Sequence, residues 1–464
     1  MPPRNLLVIA LTVVISLACY SAASKNKYAN LFAEAMEVID QQSLRQVSRE
    51  RLFVSAMEGM LTDLDEHSMY ISGEMFQVFD EDMRQEFGGV GMYVEMDPRT
   101  KNLVVLAPMP GTPAFDAGMK AGDQVLTIDG VETNTSDRRD AIKLLRGPIG
   151  EKVELKIERG QQELTKMLSR AVIAVPSVLG DFRSRNGDWQ FVVKDTPRVG
   201  YIRLTQFGEK SAIEIREALR GIGGEIDGLV LDLRNNSGGL LDVAVQICDM
   251  FLPTDLPIVR TLGRGKVVLE ERFSSSALEL NPAVPICVLV NRNSASASEI
   301  VAGCLQDHRR AIVIGEQTWG KGTVQNVIPI QRGESALKLT TASYWRPSGK
   351  SIDRNDEISK QTKTWGVQPD QGFEIELTEQ QLFDNMRQRN LNDLRGLLSP
   401  EESELIDQIR VYTPRDEESP DEVPGPDDAA NPTGADKAAP SVDRALQRAV
   451  DYIKSLLERD QVAA

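Results

Sequence analysis

Residues 291–300 read NRNSASASEI and follow an apolar run, residues 284–290, that reads VPICVLV. An apolar run, a short polar segment and the apolar residues of IVAGCL (300–305) predict a buried strand, a turn and a helix. Within the turn, Ser296 and Glu299 have the spacing of a capping box, in which the serine caps the helix and the glutamate returns to the N–H of the cap. Taken alone, the segment favours a structural cap over a catalytic serine.

The alternation of strand and helix continues on both sides of this segment. Predicted strands cover residues 199–204, 228–233, 284–290 and 311–314, and predicted helices cover residues 210–220, 241–251 and the segment that ends at Asp307. Strands that alternate with helices and are apolar on both faces are typical of an α/β core whose sheet is covered on both sides. We therefore expect residues 173–395 to form such a core.

The rest of the chain divides by composition and periodicity. Residues 25–86 carry apolar residues at three- and four-residue spacing, which predicts an N-terminal helical region. Residues 87–172 change to short β-type runs separated by Gly, Pro and Asp, with one helix at 137–145, and predict a β-rich module. Residues 396–440, most biased at 415–439, predict an acidic proline-rich linker, and residues 441–464 predict a final amphipathic helix. The fold class is therefore mixed α/β with several domains.

Residues 1–24 combine a short basic start with an apolar stretch and small residues near Ala23. This pattern is typical of a secretory signal peptide, and a retained N-terminal membrane anchor is the alternative. Both predict an exported protein that works in the periplasm or another extracytoplasmic space, and the second adds attachment to the membrane.

Composition excludes several classes of function. The 464 residues carry a net charge of −16, from 53 basic and 69 acidic side chains, which argues against a nucleic-acid partner. Four cysteines occur, none at metal-ligand spacing, so we expect no metal site. The only histidines are His67 and His308, so a mechanism that needs a histidine has almost no candidates.

Lys321 is the candidate base for a serine nucleophile in so histidine-poor a chain. It lies between two glycines in GEQTWGKGTVQ, residues 315–325, where the backbone can present one side chain closely. A lysine on such a turn is usually solvated. A desolvated lysine, however, loses its charge more easily and can take the proton of a serine hydroxyl.

A third segment could bind developing negative charge. Residues 232–240 read DLRNNSGGL and lie between a predicted buried strand and a predicted helix. Gly238 and Gly239 could expose backbone N–H groups there, as an oxyanion hole requires. A plain tight turn and a phosphate cradle are the alternatives, although the segment matches neither the P-loop nor the dinucleotide-binding pattern.

Four motifs together resemble the carboxy-terminal processing proteases, the tail-specific Ser-Lys peptidases of family S41. They are SASASEI, DHRRA (307–311), VIGE and GKGTVQ. The resemblance implies a crotonase-like α/β protease core. It also implies that Ser296 is the nucleophile, that Lys321 is the base and that Gln325 orients the lysine. Ser294 and Ser298 carry over no chemical role.

The resemblance extends to further segments and to the oxyanion site. Residues 232–241 (DLRNNSGGLL) resemble the oxyanion turn of the family, which implies that the N–H of Gly238 or Gly239 acts with that of Ala297. Residues 59–68, 344–352 and 366–370 resemble other motifs of the family. Neither a metal nor an organic cofactor is implied.

The β-rich module resembles a PDZ domain. Phe87-Gly-Gly-Val-Gly91 is similar to the glycine loop that holds a terminal carboxylate, which implies that Gly88, Gly89, Val90 and Gly91 bind the end of a substrate. The peptide would add as a strand to the edge at residues 90–94. The implied partners are proteins with apolar or unstructured C-terminal tails, and the terminal helices could support a homodimer.

Two other functions remain open from the residues. A secreted PDZ scaffold with an inert core would tether partners without cleaving them, and we would expect it to lack part of the set Ser296, Lys321 and Gln325. A Ser-Lys esterase or amidase could use the same residues on small molecules, which have no chain terminus for a PDZ domain to bind.

Overall fold

A computed structural model describes residues 27–411, apart from 136, 185, 224 and 225, together with residue 5 and residues 11–16 and 442–463. Most of the expected signal or anchor segment, residues 1–24, and most of the expected linker, residues 396–440, lie outside the described residues. Among the helices that are described, none is long and apolar enough to cross a membrane.

The described helices are, in chain order, α1 (Lys27–Gln42), α2 (Arg49–Thr62), α3 (Gly73–Arg84), α4 (Pro113–Asp116), α5 (Arg138–Leu145), α6 (Ser211–Ile222), α7 (Leu241–Phe251), α8 (Ala297–Asp307), α9 (Glu357–Thr362), α10 (Glu379–Arg395), α11 (Pro400–Val411) and α12 (Arg444–Ala463).

The described strands are β1 (Met69–Ile71), β2 (Glu86–Gly89), β3 (Met92–Met96), β4 (Leu103–Pro108), β5 (Gln124–Ile128), β6 (Val131–Glu132), β7 (Lys152–Arg159), β8 (Gln162–Ser169), β9 (Ala171–Ala174), β10 (Val178–Leu179), β11 (Phe182–Arg183), β12 (Trp189–Gln190), β13 (Val192–Val193), β14 (Thr196–Leu204), β15 (Gly228–Asp232), β16 (Pro257–Leu262), β17 (Val268–Phe273), β18 (Ile286–Val290), β19 (Ala311–Gly315), β20 (Thr323–Ile330) and β21 (Ser335–Trp345).

The chain forms two compact units, and the first contains the described residues up to Phe76 together with Gln325–Thr340. The helices α1 and α2 agree with the predicted N-terminal helical region. The segment at β1 differs, because it pairs antiparallel with residues 336–338. Tyr70 and Ile71 are buried there, and the Tyr70 ring meets Phe53 of α2 edge to face at 5.8 Å.

The second unit contains Gln77–Val324 and the described residues from Thr341 onward, and it begins with the predicted β-rich module. Strands β3, β4, β5, β7 and β8 form one sheet in that order, while β2 pairs with β9. Apolar side chains of the strands meet Ala141 and Leu145 of α5 in one buried cluster. Since β3 is the first strand of the sheet order, its outer edge can accept an added strand.

The α/β core of this unit is built on the parallel strands β14, β15, β18 and β19, paired in that order. Helices α6, α7 and α8 cover one face of the sheet, and α12 covers the other. All five residues of β15 are buried, as a strand covered on both sides requires. The predicted α/β core is confirmed. Because parallel strands end at the same edge, the turns that follow β15 and β18 lie side by side.

The range expected as a linker includes α11, which the composition of residues 396–440 did not indicate. Ile406 of α11 is 1% exposed and packs with Leu391 and Leu394 of α10 against Val104 and Leu106 of β4. An apolar surface on the β-rich module therefore stabilises a helix in a segment whose own sequence is mostly polar.

We expect Ile453→Ala to lower the free energy of unfolding by about 2–5 kcal/mol, because Ile453 of α12 is fully buried against the parallel sheet and its loss leaves a cavity. Urea unfolding followed by circular dichroism measures the change. Lys454→Ala, at the exposed neighbouring position, is the matched control. Equal stability of the two variants would show that α12 contributes little to the core.

Candidate active site

Ser296 lies between β18 and α8, where it caps the helix in an unusual backbone conformation with φ 56° and ψ −115°. It is 6% exposed. Positive φ in a residue other than glycine costs about 1–3 kcal/mol and persists only where neighbouring contacts enforce it. The turn therefore holds the Ser296 side chain in one specific direction at the N-terminus of a helix, where backbone N–H groups favour negative charge.

The carboxylate of Glu299 connects Ser296 to Lys321. Its Oε2 atom accepts the backbone N–H of Ser296 at 2.7 Å and that of Lys321 at 2.9 Å. Its Oε1 atom accepts the hydroxyl of Thr318 at 2.6 Å and the N–H of Gly320 at 2.7 Å. One fully buried carboxylate thus joins the backbones of the two residues that the sequence singled out.

The capping interaction predicted for Glu299 is present, but it is only half of what this side chain does. The bond to the N–H of Ser296 is local, and the sequence predicts it from the three-residue spacing. The hydrogen bonds to residues 318–321 join groups more than eighteen residues apart in the chain, so no local sequence pattern predicts them.

Burial sets the protonation of Glu299. It raises the pKa of the carboxyl to about 7, although the hydrogen bonds from Thr318, Gly320, Ser296 and Lys321 each act to lower it. All four neighbours donate to the carboxylate, so the ionised form is the one that satisfies every contact.

Tyr344 is a further neighbour of Ser296 that the sequence did not identify individually. It is 5% exposed and interacts with the Ser296 side chain. Burial raises the pKa of Tyr344 to about 12, so the phenol stays protonated at neutral pH. Its position in the motif at residues 344–352 was the only sequence signal.

The glycine turn after β15 lies directly against Ser296. A Cβ added to Gly238 would lie 2.8 Å from the Cβ of Ser296, so only glycine allows this approach. The N–H of Gly238 donates to Oδ1 of Asn236 at 2.8 Å. Within the described part of the chain, the N–H groups of Gly239 and Ala297 have no hydrogen-bond acceptor. These two donors remain available for a ligand.

The two serines beside Ser296 fasten its turn to the glycine turn. The hydroxyl of Ser294 donates to the carbonyl of Leu233 at 2.8 Å, and that of Ser298 donates to the carbonyl of Asn236 at 2.9 Å. Both hydroxyls are buried and occupied by backbone acceptors. They hold the turns after β15 and β18 in register with each other.

Gln325 belongs to the first unit, where its side-chain amide donates to the hydroxyl of Thr340 at 3.3 Å. That hydroxyl donates to Asp65 at 2.9 Å. Asp65 lies in the motif at residues 59–68, and it also accepts the backbone N–H groups of His67 and Ser68. The early motif therefore supports the residue predicted to orient the lysine.

A groove of about 500 Å³ runs along the edge strand of the β-rich module. Of the four residues predicted to bind a carboxylate, Val90 and Gly91 line this groove, whereas Gly88 and Gly89 lie in β2 and pair with β9. Further lining residues of this module come from β3, from α5 and from the segment after it: Met92, Val94, Arg138, Ile142, Leu145 and Arg146. The core and α10 supply others, among them Leu179, Arg183, Trp189 and Leu394.

Metal ligands are not grouped in the described residues, which contain no set of three or more His, Cys, Asp or Glu side chains placed to hold an ion. His308 ends α8, where its Nε2 lies 2.7 Å from the carbonyl oxygen of Pro257.

We expect the raised pKa of Glu299 to make stability depend on pH. Between about pH 4.5 and 7 the folded protein keeps a proton on Glu299 that the unfolded chain has lost, so the stability from this group falls as pH rises. Over this pH range the free energy of unfolding falls by up to about 3 kcal/mol because of this group. The measurement is the difference in free energy of unfolding between wild type and Glu299→Gln at pH 5 and pH 8, in which the other titrating groups cancel. A difference that does not change with pH would contradict the buried environment.

The chain is similar in sequence to known peptidases. The sequence model of peptidase family S41 matches residues 198–372, and that of a PDZ domain matches residues 104–159. The carboxy-terminal-processing protease of Bartonella bacilliformis is 39% identical over 351 residues, which cover 73% of this chain and 76% of that protein.

Two further relatives show the same extent of similarity. The carboxyl-terminal-processing protease of Synechocystis is 36% identical over 323 residues, covering 68% of this chain and 72% of that protein. The carboxy-terminal processing protease CtpB of Bacillus subtilis is 30% identical over 347 residues, covering 74% of this chain and 69% of that protein. The chain therefore belongs to peptidase family S41, as a serine-type peptidase of the carboxy-terminal processing protease group with a PDZ domain.

Proposed function

We propose that the protein cleaves polypeptides near their C-termini with a Ser296–Lys321 dyad, and that its PDZ domain binds the C-terminus of the substrate. The observation that carries the dyad is the shared Glu299 oxygen, which accepts the N–H groups of both residues. This contact keeps the two backbones close together.

In the first step, the Ser296 hydroxyl attacks the scissile carbonyl carbon. A bond forms between Oγ and that carbon while the hydroxyl proton passes to the neutral amine of Lys321. We assign to Gln325 the role of orienting the lysine. Thr340 and Asp65 hold Gln325 in place through the hydrogen bonds described above. The protonated lysine then gives the proton to the leaving amine, the C–N bond breaks, and water hydrolyses the acyl-enzyme.

The oxyanion of the tetrahedral intermediate would accept hydrogen bonds from the N–H groups of Gly239 and Ala297. Gly238 is the less suitable of the two glycines, because its N–H already donates to Asn236. The Ala297 N–H belongs to the first turn of α8, whose dipole favours negative charge at this end.

A substrate tail would add as a strand to the open edge of β3, with its terminal carboxylate near Val90 and Gly91. Arg146, in the same groove lining, supplies a positive charge for that carboxylate. Its Nε is buried and has no hydrogen-bond partner among the described residues. Apolar lining residues such as Met92, Ile142 and Leu145 favour apolar side chains in the tail.

The alternatives are less well supported. An inert secreted scaffold would not need the strained Ser296 turn, whose conformation costs stability. An esterase or amidase for small molecules would have no use for a peptide groove beside an open strand edge. Polypeptide cleavage accounts for both features.

Replacing either member of the dyad should abolish cleavage. We expect Ser296→Ala and Lys321→Ala each to lower kcat/KM by about 1,000-fold or more, since each removes an indispensable part of the proton and nucleophile pathway. Cleavage of a fluorogenic peptide with an apolar tail measures the loss. Lys350→Ala, at an exposed position, is the control and should retain wild-type activity. Full activity of a folded Lys321→Ala protein would refute the dyad.

Amidation of the substrate's C-terminus tests recognition by the PDZ groove. We expect the amidated peptide to be cleaved about tenfold less efficiently than its free-acid form, because a charge-assisted hydrogen bond contributes about 1.5–3 kcal/mol. Arg146→Gln should shrink that discrimination, whereas Arg139→Gln, on the exposed side of α5, should preserve it. Equal cleavage of acid and amide by the wild type would count against carboxylate capture while leaving the dyad intact.

A further inference from the structure

Arg234, in the segment before the glycine turn, is held between two carboxylates from distant parts of the chain. Its guanidinium donates to Asp232 through Nε at 2.9 Å and Nη2 at 2.6 Å. It also donates to Asp443 through Nη1 at 2.7 Å and Nη2 at 2.8 Å. The Arg234 side chain is only 11% exposed, so both bidentate pairs lie largely away from water.

Asp443 belongs to the segment just before α12, beyond the range expected as a linker. It caps that helix by accepting the N–H of Leu446 at 3.1 Å while it receives Arg234. Helix α12 is itself fixed against the parallel sheet through Ala449 and Ile453. Asp443, the second carboxylate that binds Arg234, is therefore positioned by the packing of α12.

A second arginine extends the same network. Arg389 of α10 donates to Asp181 at 2.7 Å and lies 3.5 Å from Asp443. Its guanidinium is 5.1 Å from the centre of the Tyr201 ring, and the Tyr201 hydroxyl donates to Asp232 at 2.7 Å. Charges from β15, α10 and the start of α12 thus compensate one another in one cluster.

Removing one carboxylate from this cluster would leave a buried arginine only half compensated. Burial alone would raise the pKa of Asp443, but the charge and hydrogen bonds of Arg234 hold it well below its usual range. Asp443 is consequently ionised throughout the neutral range. A buried ion pair contributes little when intact, but losing one partner is strongly unfavourable.

The cluster holds the residues that lead into the glycine turn. The N–H of Arg234 donates to Asp232 at 3.0 Å, and the next residue, Asn235, adopts φ 60° with its N–H donating to Asn291 at 2.9 Å. Gly239 follows a few residues later in the same turn. The turn that carries Gly239 is therefore held at its start by the cluster around Arg234.

We propose that Asp443 is a positioning residue for the peptidase reaction: through Arg234 it fixes the turn that presents the Gly239 N–H to the oxyanion. The last helix of the chain thereby completes the active site without touching the substrate. This proposal rests on the oxyanion role given to Gly239 under the proposed function.

The test compares Asp443→Asn and Asp443→Glu with Asp451→Asn in the full-length protein. Asp451 is exposed on the same helix and, among the described residues, accepts a hydrogen bond from Gln447 alone, so it is the matched control. We expect Asp443→Asn to lower kcat by roughly 10- to 100-fold, with KM changed less than twofold. This loss in kcat is smaller than that from removing an oxyanion donor outright. Asp443→Glu keeps the charge and should restore part of the rate.

A peptide aldehyde of the substrate sequence gives a readout that a general loss of stability would not move. Its hemiacetal oxygen occupies the oxyanion site, so its affinity should weaken in parallel with kcat, while the affinity of the matching peptide alcohol, which forms no hemiacetal, stays unchanged. Wild-type kcat and aldehyde affinity in a folded Asp443→Asn protein would overturn the proposal.

Two further outcomes keep the test decisive. If Asp443→Asn does not fold, Asp443→Glu decides, and a wild-type kcat together with wild-type aldehyde affinity in that variant would overturn the proposal. Ser296→Ala is measured in parallel, so that residual cleavage there would count against the proposed dyad, whereas an effect confined to the Asp443 variants concerns only the positioning role.

Discussion

The proposed active site depends on one buried carboxylate, that of Glu299, which accepts four hydrogen bonds from two separate segments of the chain. Two of them bring the backbone of Ser296 and that of Lys321 to the same oxygen atom. Burying a charge is costly unless its hydrogen bonds are complete, and here all four neighbours are donors. The geometry around the nucleophile is therefore fixed by the need to satisfy this carboxylate.

The same requirement for satisfied hydrogen bonds extends from Ser296 to the proposed oxyanion donors. The turn after β15 and the turn after β18 exchange hydrogen bonds through Ser294 and Ser298, and Gly238 lets their backbones approach closely. The strain of Ser296 at positive φ persists because these contacts surround it. A preorganised site of this kind does not have to rearrange as charge develops, which is the physical basis of oxyanion stabilisation.

Substrate selection and the proposed Ser296–Lys321 dyad are assigned to different parts of the second unit. The PDZ domain offers an open strand edge and a groove with both apolar and basic lining residues, which suits a C-terminal tail better than a small ester. The last helix lies on the opposite side of the core sheet from α8, and the Asp443–Arg234 pair links it to the glycine turn. The packing of the core and the layout of the proposed site are thus coupled through buried charges.

Sequence alone determined the α/β alternation, the β-rich module and the candidates Ser296 and Lys321, because these depend on local periodicity and on short motifs. Tertiary structure decided the rest. It assigned Glu299 a role beyond capping, left Gly239 rather than Gly238 with an available N–H, and joined Arg234 to Asp443. Each is a hydrogen bond between segments far apart in the chain or a choice between adjacent donors, and only the folded backbone determines which groups meet.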